Sequence, residues 1–469
     1  MSIRIKLPDG SVREFEEEAS IEDVAASISC GLENAVAGKL NGKLVDLSTP
    51  LQDGALVEIV TRDSAEGQKF KREKARGTGR IVALDAARGL AVIGMYLQHF
   101  ALNETNGSIV SGNTTLLFVL CGGISYSIMA GRMLDRGMEP AAFRTRMLAR
   151  AVFIDIMGYL LIMLNTPFGV ILPAYAALFV LALVLIRRST RVLVTTAAVL
   201  LAVSPPLMIL GGSVLSKAYL LGDMAGGPMS ALALAPAFVA GMAIGRFDLT
   251  RMRTALSLVG SGTIMVIVSK VLGTFVLPGL SRSFEEWLVS VQGTAGAEPD
   301  QYAIWPHNVA PPLWHNLLSI APHSASTFQT MLGLGVAFLV LGLVCLVQQK
   351  NSAVLKPFAG VGRVALTMYA AQFVVIWTLE ISGAKYDIGA IPFSDLFVAA
   401  VATVTGWLIA RLPTGPLETA MRRFDRAFSN LGPVTGPARL RLAVFNMLPE
   451  GTERQLLQDF SLSRGICSG

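Results

Sequence analysis

The sequence predicts an α-helical polytopic membrane protein of about ten transmembrane helices, preceded by a small cytoplasmic α+β domain of the ubiquitin-like, β-grasp type. Three observations lead there. Of the 469 residues, 52% are hydrophobic and only 15% charged, with a mean hydropathy of +0.56, which is more apolar than a soluble globular chain. Apolar runs near the roughly 20 residues that cross a hydrocarbon core begin at about Ile81, Asn113, Leu148, Val170, Val192, Met229, Thr254, Thr327, Phe358 and Phe393. Before the first of them stand about 65 mixed polar residues without the apolar core of a signal peptide, which predicts a soluble domain that stays inside.

In that first domain Ile3, Ile5 and Leu7 alternate with polar residues, Asp9-Gly10 offers a tight turn, and residues 12–16 form the returning strand. Ser20 with Asp23 resembles a capping box, and Ile21, Val24, Ala25 and Ile28 share one helical face. Strand-like runs at 35–47 and 55–61 complete the β-grasp pattern. The domains expected are therefore 1–67, a basic juxtamembrane linker at 68–80 (KFKREKARGTGR from Lys69), the membrane part at 81–412, and an amphipathic segment with a tail at 413–469. The linker orients the first helix and attracts anionic lipid, and it offers a secondary site for a CoA phosphate or RNA.

Basic residues set the orientation. Segments 68–80, 131–150, 187–191, 246–253, 348–356 and the stretch after Ala410 hold most of them, whereas the alternate loops carry only Lys217, Arg282 and Lys385. By the positive-inside rule both termini are cytoplasmic, at a multi-pass cell membrane, and the net charge of +6 reports topology rather than nucleic-acid binding. Cys30, Cys121, Cys345 and Cys467 show no C-x-x-C spacing, so neither a disulfide framework nor a zinc site is expected.

Two ionisable residues, Arg88 and His99, fall in the first apolar stretch. Charge at bilayer depth costs roughly 2.5–3.5 kcal/mol and marks protein-lined or watered cavities. Eleven residues are about three helical turns, so the two share a face about 16 Å apart, a geometry suited to a tunnel from the cytoplasmic surface. A snorkelling Arg and a His satisfied by a neighbouring helix fit equally well. Asp85 orients Arg88 by an i, i+3 pair, as ligand clamp or as structural clasp. Arg363, at the cytoplasmic start of the ninth span, either joins Arg88 or anchors its helix. Asp155 and Lys270 are further intramembrane charges that either pair structurally, the reading taken first, or line the same cavity. Gly123, Ser127 and Gly131 make a small-residue stripe for close packing. The outer segment at 278–326 carries His307, His315 and His323 with Trp287, Trp305 and Trp314, a surface for a carbohydrate or lipid headgroup or an aromatic interface belt. Its histidine spacing matches no familiar metal-binding face, so no metal is expected.

The run IRIKLPDGSVREFEEEASIEDVAASISCGL, with AVAGKLNGKLVDLSTPL and ALVEIVTRD, resembles a TGS domain of the threonyl-tRNA synthetase type. That resemblance implies an appended regulatory or RNA-contacting module without chemistry of its own. The membrane part resembles the bacterial YeiB/DUF418 proteins, relatives of heparan-α-glucosaminide N-acetyltransferase. The match lies in RIVALDAARGLAVIGM (80–95), LLFVLCGGISYSIMAGR (116–132), LNTPFGVILPAYAALFVLAL (164–183), PHSASTF (322–328), GVGRVALTMYAAQF (360–373) and GPLE (415–418). Arg88-x₁₀-His99 also reproduces the spacing on the first helix of the acyltransferase-3 branch. The resemblance implies an integral membrane acyltransferase that moves an acetyl or short acyl group from cytoplasmic acetyl-CoA or another acyl-CoA to an unidentified extracytoplasmic or membrane-borne hydroxyl or amine. His99 or His323 would be the general base, and Arg88, Asp85 and Arg363 would hold CoA. Heparan acetyltransferases proper use a histidine in the loop after the first helix, and residues 103–112 contain none. The alternative is a transporter or sensor whose TGS domain reads a nucleotide or RNA, although no internal repeat supports a transporter. Transfer of an aminoacyl group from tRNA to lipid would explain the TGS domain, but no motif for it is present.

Overall fold

The computed structural model describes residues 2–64 with gaps, then 81–135, 139–215, 223–292, 312–412 and 414–430. The linker at 69–80, Asp9, Ser20, Ile28, Cys30, Lys217, Trp305, His307, Cys467 and the tail from 431 lie outside the described residues. The chain divides into two compact units, 1–80 and 81–469.

In the first unit, strands β1 (Ser2–Lys6) and β2 (Val12–Glu16) form an antiparallel hairpin. Gly10, at φ +83°, supplies its left-handed turn. Helix α1 (Ile21–Ser27) follows. The run expected as one strand over 35–47 is two, β3 (Ala35–Leu40) and β4 (Lys43–Val45), because Gly42 turns the chain at φ +81°. β5 (Val57–Thr61) completes a sheet ordered β4-β3-β5, and a bridge from Lys6 to Leu56 links it to the hairpin. The alternating residues Ile3, Ile5 and Leu7 close over Ile21, Val24 and Val57 as one core.

The second unit is helical. Its elements are α2 (Val82–Phe100), α3 (Glu104–Val110), α4 (Asn113–Asp135), α5 (Pro140–Ile162), α6 (Leu172–Leu185), α7 (Thr190–Val214) and α8 (Ala231–Ile244). Then come α9 (Met252–Val271), a π-helical turn (Leu272–Val276), α10 (Leu277–Gln292) and a 3-10 turn (Trp314–Leu318). Last are α11 (Thr327–Asn351), α12 (Lys356–Arg363), α13 (Ala365–Ile381), α14 (Ser394–Ile409) and α15 (Pro416–Asn430). Local chemistry sets many of the starts: Ser189, Ser230 and Ser326 cap α7, α8 and α11, and Asn103 with Asn106 makes a reciprocal capping box for α3.

A helix stands at each of the ten expected positions. Among the described residues four helical stretches are long and apolar enough to cross a membrane, Glu104–Met133, Thr190–Val214, Met252–Val291 and Thr327–Asn351, and the bent pair α12/α13 makes a fifth if it is one span. α6, α8 and α14 are apolar but only 14, 14 and 16 residues long. The segment expected as a long outer loop from Pro278 begins instead as α10, since the π-helical turn carries α9 straight into it.

Small residues let the helices approach backbone to backbone. Gly123 meets the Phe238 carbonyl of α8, Gly241 meets Leu120 of α4, and Ser127 is buried beside Gly245, whereas Gly131 touches nothing. The stripe expected on α4 is thus a packing surface over its first two members. Gly89 of α2 lies against the Phe358 carbonyl, and Gly362 of α12 against the Asp85 carbonyl, so α2 and α12 cross with no room for a side chain. Gly362→Ala is expected to destabilise the detergent-solubilised protein by about 4 kcal/mol or prevent its folding. Gly260→Ala, where an added Cβ meets open space, should shift thermal unfolding little; circular dichroism melts of both variants check this.

Candidate functional site

Helices α12 and α13 are bent by 75° at Val364. A break frees carbonyls at the end of one helix and N–H groups at the start of the next, and within a bilayer each must find a partner in the protein. Both ends here are met by charge. The Arg88 guanidinium donates to the Gly362 carbonyl at 3.4 Å, to Asp85 Oδ1 at 3.4 Å, and to the Ser125 hydroxyl of α4. On the other side, Glu418 Oε1 accepts from the backbone N–H groups of Leu366 and Thr367 at 2.8 and 3.1 Å, and Oε2 accepts from the Thr367 hydroxyl at 2.6 Å. A cation at a helix C-terminus and a carboxylate at an N-terminus each suit the macrodipole. Asp85 and Arg88 therefore form a clasp that includes the α12 terminus. Arg363 does not open a helix as expected; it ends α12, and its side chain is exposed.

Three helical turns along α2, His99 lines a cavity of about 280 Å³ that it shares with His323, Gln98, Phe168 and Tyr369. The two histidines expected as alternative bases thus meet at one site, although 224 residues of sequence, from 99 to 323, separate them. His99 stacks on Phe168 with ring centroids 4.0 Å apart and meets the edge of Phe373 at 6.0 Å. His323 is aimed inward by a left-handed turn. It sits at φ +61° and Ala325 at φ +49°, both without the freedom of glycine. The Ser324 and Ser326 hydroxyls hold the turn by donating to the Ser319 carbonyl. Gly112 packs so close to Pro322 and the His323 backbone that a side chain there would crowd them.

A polar contact reaches into the cavity. The Gln98 amide nitrogen stands 2.9 Å from His323 Nε2, while Thr114, whose hydroxyl donates to the Val110 carbonyl at 3.1 Å, lies beside Gln98 Oε1 at 3.5 Å. The amide donates, so Nε2 accepts and the proton of the neutral imidazole belongs on Nδ1. Burial pushes the His323 imidazole below its ordinary value. On the opposite side Gln372, wholly buried on α13, faces His99. The Gln372 amide interacts with the His99 imidazole, but neither its amide atoms nor His99 Nδ1 makes a hydrogen bond of good geometry among the described residues. Such orphans are costly in a fold and mark places where a ligand supplies the missing bonds.

The remaining expected residues lie elsewhere. His315 is in the 3-10 turn and does not line the cavity. Asp155 sits by Asp223, which accepts from the Tyr159 hydroxyl at 2.7 Å. Lys270 is exposed on the outer face of α9. Gln98, Ser125, Gln372 and Glu418 escaped the sequence reading as individual residues. Gln372 and Glu418 nevertheless fall inside GVGRVALTMYAAQF and GPLE, and a lone amide in an apolar helix is a signal of its own.

Two outcomes are expected. Because its folded value is depressed, His323 binds fewer protons folded than unfolded, so its contribution to stability is complete above about pH 6.5 and declines as pH falls below it. Melts between pH 8 and 5 should show a smaller acid-side loss for His323→Gln than for wild type. Gln372→Met removes two buried polar atoms that make no hydrogen bond of good geometry and should leave thermal stability unchanged or raised, while weakening whatever binding the cavity supports; melting and ligand titration separate the two effects.

Residues 3–61 match the TGS domain family, and residues 302–426 match DUF418, a family described as proteins of unknown function. The N-terminal stretch is 49% identical over 74 residues to threonine–tRNA ligase 1 of Bacillus subtilis (strain 168), covering 16% of this chain and 12% of the ligase. It is 56% identical over 71 residues to the threonine–tRNA ligase of Geobacter sp. (strain M21), covering 15% of this chain and 11% of that enzyme. The chain therefore spans about an eighth of the length of these ligases. The DUF418 match contains His323, Arg363, Gln372 and Glu418, but not Arg88 or His99. The chain thus joins an N-terminal TGS domain of the threonine–tRNA ligase type to a helical unit that carries a DUF418 segment.

Proposed function

We propose that this protein is an integral membrane acyltransferase, moving an acetyl or other short acyl group from cytoplasmic acyl-CoA to a hydroxyl or amine on an extracytoplasmic or membrane-borne acceptor. The observation that carries the reading is the meeting of His99 and His323 on one cavity with the Gln98 amide behind one of them. A neutral imidazole takes the acceptor's proton as its oxygen or nitrogen attacks the thioester carbonyl. The tetrahedral intermediate then collapses, the acyl bond to the acceptor remains, and the CoA thiolate leaves with the proton returned by the imidazolium. Gln372, beside His99 and without a well-formed hydrogen bond, would donate to the carbonyl oxygen as charge develops there. The donor's phosphates meet the basic end, at the exposed Arg363 and the Asp85–Arg88 pair. The reading takes about ten spans with both termini cytoplasmic, and it gives the TGS domain a nucleotide or RNA contact in that compartment.

A transporter is the second reading, favoured by the discontinuous pair α12/α13, since broken helices line many transport sites. Against it, the facing termini of this break are already occupied by Arg88 and Glu418.

The test is binding and slow hydrolysis of radiolabelled acetyl-CoA by the full-length protein in detergent. Wild type should bind and turn over, His99→Ala or His323→Ala should lose turnover by about 10²-fold or more with binding kept, and Arg363→Ala should weaken binding. Absence of binding by folded wild-type protein overturns the donor, and flux of a solute across proteoliposomes would then establish the transporter.

A further inference from the structure

Helix α15 segregates its charges. Its two acids turn inward: Glu418 caps α13, and Asp425, fully buried, accepts from Arg150 Nε at 2.6 Å and Arg146 Nε at 3.5 Å. Its three arginines, Arg422, Arg423 and Arg426, are exposed. Beside it opens a groove of about 580 Å³ between α5 and α15, walled by Phe153, Leu412, Pro416 and Phe424, with Thr414 and Arg423 as polar lining. Phe153 and Phe424 stand 5.6 Å apart by ring centroid, and Phe424 meets Phe428 at a tilt, 4.7 Å away. An apolar slot edged by guanidinium groups, on an amphipathic helix at the basic end of a membrane unit, has the chemistry of an acyl chain continuing into an anionic headgroup.

We propose that this groove is a binding site for an anionic phospholipid, its acyl chain lying against Phe153 and Phe424 and its phosphate on Arg423. Charge complementarity selects this occupant: a zwitterionic lipid would satisfy the walls but not the outward arginines, whose acidic neighbours on the helix are already paired inside. Since the same helix carries Glu418, an occupied groove also steadies the start of α13. The proposal is independent of the acyl-transfer reading, because it concerns neither the cavity nor the donor.

The experiment uses the full-length protein in detergent micelles, with phosphatidylglycerol or phosphatidylcholine of identical chains added, and reads lipid retention by native mass spectrometry together with thermal unfolding. Phosphatidylglycerol should be retained and raise Tm, and phosphatidylcholine should do neither. Arg423→Ala should lower phosphatidylglycerol retention about fivefold, and Ala420→Trp, which fills the slot while keeping every charge, should abolish it. Both variants should unfold at the wild-type temperature without lipid. Equal responses to the two lipids, or a wild-type response in Ala420→Trp, overturn the site. A response that appears only after deletion of residues 431–469 assigns the groove to the chain's own tail and overturns it equally.

Discussion

The break between α12 and α13 is the constraint on which the helical unit depends. Backbone groups at a helix end have nowhere to turn in a hydrocarbon medium except to the protein itself. Arg88 answers the carbonyl end and Glu418 the N–H end. Each comes from a different part of the chain: one from the first helix of the unit, the other from the last described one. The break therefore ties the two extremes of the unit together. It also explains why Gly89 and Gly362 face each other's helices without side chains: Arg88 reaches the Gly362 carbonyl only if α2 and α12 touch. Removing Arg88 would take the guanidinium from Asp85 and from the Gly362 carbonyl, and removing Glu418 would take the acceptor from the N–H groups of Leu366 and Thr367.

The cavity inherits its shape from this arrangement. α2 brings Gln98 and His99, while α13, redirected by the bend, brings Tyr369, Gln372 and Phe373 around to meet them. The strained turn at 322–326 then delivers His323. Two imidazoles and the Gln98 and Gln372 amides meet around this enclosure, where hydrogen bonds are stronger than in water and unpaired polar groups are costly.

Much of this was legible in the sequence. The alternation of Ile3, Ile5 and Leu7 identified the hairpin and its buried face, and the apolar runs located the helices, because both rest on local periodicity. The eleven-residue interval placed Arg88 and His99 three turns apart on α2. What was not legible depends on tertiary contact. Val364 is neither Gly nor Pro, so nothing local announces a 75° bend there. The convergence of His323 on His99 requires the fold to bring distant segments together. The strand expected over 35–47 was interrupted by a single glycine at φ +81°, and the outer loop expected after Pro278 became helix through a π-helical turn that no periodicity marks. Arg363 was read as the start of a helix because the apolar run spans the bend without a change in composition.

The central claim, that Arg88 and Glu418 jointly hold the break, is tested most directly by a double-mutant cycle of Arg88→Met and Glu418→Gln on the full-length protein, measured by denaturant unfolding in detergent. Arg88→Met should cost about 3 kcal/mol or more and Glu418→Gln about 1.5 kcal/mol or more, and the pair should cost clearly less than the sum, since either change alone already releases the break. Single substitutions that each cost under about 0.5 kcal/mol, the range of unremarkable surface changes, would contradict it.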